Sequence, residues 1–145
     1  MIEFSLGANQ VGWDWFSLQL SDGRDLMYYQ IRQQDGTPSP FTDGVLVGAD
    51  GSKTPLGRGQ VDLEVTDRWT SPRGGTYPVG WRLRIPEEDL TLRITPYFED
   101  QELDVSVRYW EGAVQVDGAA NGASITGEGY VEMTGYGDTS AQPVS

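Results

Sequence analysis

At 145 residues and a net charge of −12, with no cysteine and no histidine, the chain is sized for one domain that buries most of the surface its unfolded form exposes. The two missing residue types exclude a disulfide framework, a thiolate nucleophile, Ser-His-Asp catalysis and histidine-ligated zinc, leaving carboxylates, tyrosines, lysine and arginine to carry any chemistry. The acidic balance argues against a phosphate-binding surface, and so against nucleic acid, and it disfavours docking on anionic membranes.

Met1 to Gln10 lacks the basic start and apolar run of a signal peptide, and no later stretch approaches the length of a membrane span. The chain as it stands is therefore expected to be soluble and not membrane-spanning, with its compartment left open. From there the apolar residues recur with a period of roughly two, the mark of strands with one buried face. In chain order, strands are predicted at Trp13–Leu20, Asp25–Arg32, Val45–Ala49, Val61–Val65, Val79–Ile85, Leu90–Ile94, Leu103–Tyr109, Ala113–Val116 and Gly129–Thr134. The clearest is Val61-Asp62-Leu63-Glu64-Val65, which sets three apolar side chains against two acids. Between the runs, Ser21-Asp22-Gly23, Asp35-Gly36, Asp50-Gly51 and Asp117-Gly118 offer the positive φ that tight hairpins need. Gln33–Asp43 and Arg68–Pro78 are longer and are expected as rim loops. Sequential hairpins of this kind make an antiparallel all-β meander that closes into a barrel or stacks as a sandwich. The expected domain runs over residues 1–136, followed by a frayed polar tail over 137–145.

Val11-Gly12-Trp13-Asp14-Trp15-Phe16-Ser17-Leu18 is the least ordinary segment. In an uninterrupted strand Asp14 shares a face with Phe16, Leu18 and Leu20, while Trp13 and Trp15 point the other way. A carboxylate on an apolar face is costly unless it is paired or protonated. Asp14 is thus either an acid of raised pKa, or a residue at the strand mouth that is solvated or paired with a nearby arginine.

The chain carries five Trp, seven Tyr and four Phe. Such rings either line a site for a flat apolar molecule or fill the core of a small barrel. Trp13, Trp15, Tyr28, Trp69, Trp81, Tyr109 and Trp110 are the aromatic ligand-binding candidates. Glu111, just after Trp110, is a second carboxylate beside aromatics, or else an exposed acidic turn residue. Arg73, in Thr70-Ser71-Pro72-Arg73-Gly74-Gly75, is either poised over a site by a loop or part of a turn shaped by Pro and Gly. Around Asp50-Gly51-Ser52 the full calcium-loop spacing is absent, so neither metal nor cofactor is expected.

Trp13-Asp14-Trp15-Phe16-Ser17-Leu18-Gln19-Leu20, Trp69-Thr70-Ser71-Pro72-Arg73, Tyr77-Pro78 with Trp81-Arg82-Leu83, Arg108-Tyr109-Trp110-Glu111-Gly112-Ala113-Val114 and Gly129-Tyr130-Val131-Glu132-Met133-Thr134-Gly135-Tyr136 occur in that order. Together they resemble the carotenoid 1,2-hydratase and AttH-like family over nearly the whole chain. The resemblance implies an antiparallel, lipocalin-like up-and-down β-barrel, the second of a tandem pair. It further implies chemistry of the kind in which water is added to, or a ring closed on, a polyene, with Asp14 of the Trp-Asp-Trp motif as proton donor. An extracytoplasmic location is also implied.

Three functions follow as expectations. The first is binding of an elongated apolar small molecule, an isoprenoid, polyene or lipid. The second is a hydro-lyase or cyclase in which Asp14 protonates an alkene and aromatic faces stabilise the cation. The third is a structural barrel that pairs with a second barrel or with a copy of itself.

Overall fold

Alternating apolar residues with Gly-, Asn- and Asp-bearing turns between them leave the chain one economical solution, a sheet that curls to bury one face. The computed structural model describes residues 10–33, 43–57, 59–104 and 108–134. Among these, ten strands form one antiparallel sheet: β1 (Gln10–Leu20), β2 (Asp25–Gln33), β3 (Asp43–Val47), β4 (Lys53–Gly57), β5 (Asp62–Thr70), β6 (Thr76–Ile85), β7 (Leu90–Pro96), β8 (Glu102–Asp104), β9 (Arg108–Ala120) and β10 (Ala123–Thr134). A single 3-10 turn, Pro86–Glu88, links β6 to β7. The spatial order is β4-β3-β2-β1-β10-β9-β7-β6-β5, with β8 added beside β9. This is an up-and-down barrel order in which the β1–β10 ladder joins the two chain ends. β4 and β5 are the edges, and among the described residues no ladder joins them.

The concave face holds Phe16 and Leu18 of β1, Leu26 and Tyr28 of β2, Trp81, Leu83 and Ile85 of β6, Leu92 and Ile94 of β7, and Trp110 and Val114 of β9, all buried. Each such side chain contributes about 2 kcal/mol of apolar burial. Val61, Leu63 and Val65 pack against this core while Asp62 and Glu64 stay exposed, as their alternation requires.

Three expectations are corrected, and one strand, β4, was not foreseen. β4 contains Pro55 and carries no alternation that marks it; as an edge strand it tolerates the missing donor. Asp117-Gly118 is not a turn but lies inside β9, and the reversal falls at Asn121-Gly122, both at positive φ. Gly118 serves packing: a Cβ there would lie 1.9 Å from the carbonyl oxygen of Thr91 on β7. Leu103–Tyr109 is not one strand, because Leu103 of β8 stands directly opposite Tyr109 of β9. A reversal that pairs odd positions with odd positions keeps the alternation in phase, so the pattern reads straight through it. The expected rim loop at Arg68–Pro78 shrinks to Ser71–Gly75, because β5 and β6 pair down to Thr70 and Thr76. The Asp35-Gly36 turn, most of the second rim loop and the tail lie outside the described residues.

Candidate functional site

One end of the curled sheet is finished by tight turns at Ser21–Arg24, Gly48–Ser52, Pro86–Asp89 and Asn121–Gly122. A shallow cavity of about 470 Å³ there is lined by polar turn residues such as Ser21, Asp22 and Asn121. The chemistry lies at the opposite end, where the start of β1, the end of β2, the end of β10, the start of β9 and the β7–β8 connection converge.

Asp14 comes first because its position in β1 decides its partners. It shares the inward phase of Phe16, Leu18 and Leu20, and it is 2% exposed. The register sets it between Gln30 on β2 and Met133 on β10. Gln30 Nε2 donates to Asp14 Oδ2 at 3.0 Å, and Arg32 Nε donates to the same oxygen at 3.1 Å. Arg32 Nη2 also donates to the Thr134 carbonyl, tying β2 to β10 around the carboxylate. The burial cost of the charge is thus offset by an ion pair with charge-assisted hydrogen bonds, the pairing alternative raised by the sequence. Inward from Asp14 lies an aromatic row. Tyr28 and Phe16 have centroids 6.4 Å apart, Phe16 meets Trp81 edge-on at 5.3 Å, and Trp81 meets Trp110 at 6.2 Å. Burial, with the Asp14 charge as a second cause, pushes the Tyr28 phenol up to about 12.

A second cluster closes the same end. Glu102 of β8 has its side chain fully buried. Ser71 Oγ donates to it at 2.6 Å, and Arg73 Nε and the Tyr77 hydroxyl donate as well. Burial alone would raise the Glu102 pKa, but these three donors together hold it below the ordinary glutamate value. Arg73 Nη2 reaches Asp100 at 2.7 Å, and Trp110 Nε1 donates to the Glu99 carbonyl at 2.7 Å. The connection after β7 is therefore pinned to the β5–β6 turn, with Tyr97 and Phe98 exposed upon it.

The sequence candidates divide among three places. Asp14, Tyr28, Trp81 and Trp110 face inward, and the three rings are core side chains. Trp13 and Trp15 face outward, as expected; Trp13 is nonetheless buried, opposite Ile31. Trp69 is half-buried and stacks on Tyr77 at 6.1 Å. Arg73 belongs to the Glu102 cluster. Tyr109 stands in β9 opposite Thr134, its side chain outside the described residues. Glu111 is no turn residue: it lies within β9, half-buried, directly opposite Glu132. Sequence reasoning missed Gln30, Arg32, Glu102 and Glu132. Gln30 and Arg32 were within reach, because they continue the phase of Leu26 and Tyr28. Among the described residues no group of three or more acidic side chains is placed to hold a metal ion, and no helix is long and apolar enough to cross a membrane.

Residues 3–136 match the AttH-like family. The chain belongs to the AttH-like family. A crystal structure of AttH from Nitrosomonas europaea is similar at 36% identity and a TM-score of 0.80, covering 92% of this chain and 41% of that one. Kievitone hydratase from Nectria haematococca is similar in fold at 22% identity and a TM-score of 0.73, covering 90% of this chain and 41% of that one. No curated relative matches the chain. This AttH-like chain thus spans about 41% of the length of each of these two solved structures.

Proposed function

We propose that this AttH-like domain binds an elongated apolar molecule, an isoprenoid, polyene or lipid, at the end of the barrel that holds Asp14. The observation that carries the reading is the buried Asp14 carboxylate, gripped on one oxygen by Gln30 and Arg32 at the head of the Tyr28–Phe16–Trp81–Trp110 row. An apolar wall ending in one fixed polar group is the usual form of a site that orients a long apolar ligand. Ligand entry displaces the pinned β7–β8 connection from over Trp110. Native mass spectrometry of the chain after incubation with a polyene and fatty-acid panel tests this. Stoichiometric retention by the wild type, kept in Asp14→Asn, is the expected result for a binding domain. No retention of any panel member by a folded monomer contradicts it.

A second reading is favoured by the fold shared with a hydratase. Asp14 in its protonated form gives a proton to one carbon of an alkene, and the rings of Phe16 and Trp81 stabilise the cation. Water adds to that cation and returns a proton to the Asp14 carboxylate, which Gln30 and Arg32 hold in place. Hydration of a carotenoid-type polyene is one instance. This reading expects turnover by the wild type and its loss in a folded Asp14→Asn, whereas simple binding survives the substitution.

A further inference from the structure

The two edges of the sheet are finished differently. β4 is five residues long and carries Lys53 and Pro55, which stop another strand from pairing with an edge. β5 runs for nine residues with neither lysine nor proline, and among the described residues its outer edge pairs with no strand. Asp62, Glu64, Thr66, Asp67, Arg68 and Thr70 are all exposed along it. Such an edge presents unused backbone donors and acceptors, a template for one more strand.

The sequence of β5 says which strand fits. Read against itself in reverse about Thr66, it sets Glu64 opposite Arg68, Leu63 opposite Trp69 and Asp62 opposite Thr70, with Thr66 opposite Thr66 at the centre. The faces agree too. Leu63 stands opposite Leu83 and Trp69 opposite Tyr77 on the concave side, whereas Glu64 stands opposite Arg82 and Arg68 opposite Pro78 on the outer side. The ladder slips at Asp67 and resumes the same register at Arg68, so the faces hold along the strand. Leu63 and Trp69 are only half-buried, and a strand laid beside them covers both.

Charge permits this approach. Although the chain carries a net charge of −12, Arg82 meets Glu64 at 2.6 Å and Arg84 meets Asp62 at 3.2 Å, while the exposed Arg68 follows Asp67 and forms no ion pair of its own among the described residues. Acids and arginines therefore balance along this edge.

We propose that β5 pairs antiparallel with β5 of a second copy of this chain, joining two sheets into one across a two-fold axis at Thr66. Each Arg68 then extends the other copy's Glu64–Arg82 pair into a three-membered network on the outer face. One strand pair buries little surface, so the dimer belongs to the weak class, with a Kd on the order of 10 μM.

The test is sedimentation velocity of the intact chain across the micromolar range, with backbone amide signals followed by NMR over the same concentrations. The expected result is a monomer–dimer equilibrium whose shifts fall in Asp62–Thr70 and not in Lys53–Gly57. Arg68→Glu sets acid against acid twice in the dimer and should weaken it about tenfold or more. Arg93→Glu, an equal change of charge at an exposed position of β7, should leave it near wild type. The wild-type shift map stands even if Arg68→Glu folds poorly. A monomer at every concentration, a dimer whose shifts fall on another surface, or a folded Arg68→Glu that dimerises as well as the wild type overturns the proposal.

Discussion

Glu102 and Glu132 are both buried glutamates near the same end of one sheet, yet the protein treats them in opposite ways. Glu102 sits under the β5–β6 turn among three donors, from Ser71, Arg73 and Tyr77, and is held as an anion. Glu132 faces another carboxyl across a ladder; burial first, then the charge and hydrogen bond of Glu111, push its pKa up. Burial alone does not decide ionisation: the balance of donors and like charges around the group does. The first region is a finished latch, whereas the second sets two carboxyls against each other across a ladder.

The most direct way to break this contrast is to remove the latch. Glu102→Gln leaves Arg73 without its buried anion and is expected to cost about 3 kcal/mol, read as a lower urea midpoint at unchanged slope. A loss indistinguishable from zero means the three donors find water instead. Tyr28 comes next, through alkaline pH. Its folded pKa of about 12 lies above the ordinary 10.0, so the neutral phenol's stabilising contribution is complete below pH 10 and is lost as pH rises through 12. About 3 kcal/mol should disappear across that window in the wild type and not in Tyr28→Phe.

The smallest effect is expected at the second glutamate. Glu132→Gln removes the like-charge conflict and should change neutral-pH stability by under about 1 kcal/mol, in the stabilising direction. The two glutamates also differ in sign with pH. Glu132, with its pKa raised, contributes stability that is present below the ordinary glutamate value and lost as pH rises through its folded value. Glu102, with its pKa lowered, contributes stability that is present above the ordinary value and lost as pH falls through its folded value. Acid titration of Glu102→Gln and Glu132→Gln against the wild type should therefore give stability differences of opposite slope.

Period-two alternation made the strands legible because each has one buried face, and it set Asp14 inward and Trp13 and Trp15 outward. The same periodicity hid the reversal between Leu103 and Tyr109, since both arms of the pair keep phase. Asp-Gly at 117–118 misled because a glycine demanded by the approach of β7 looks, in sequence, like one demanded by a turn. Candidate residues were legible as chemistry but not as a constellation. Trp15 and Trp81 look alike in sequence and lie on opposite faces. Glu102 and Glu132 acquire their roles only from partners on other strands, more than twenty residues away in each case. A clean alternation predicts faces; it does not predict which strand comes to lie beside which.

The central claim is that the inward aromatic row beneath Asp14 is where an apolar ligand binds. The most direct test is to assign the five tryptophan indole N–H signals and titrate the chain with palmitate and with an acyclic polyene. Saturable shifts at Trp81 and Trp110, which face inward, with Trp13 and Trp15 unmoved, are the predicted result. Shifts confined to the outward Trp13 and Trp15 would place the ligand on the other wall and contradict the account.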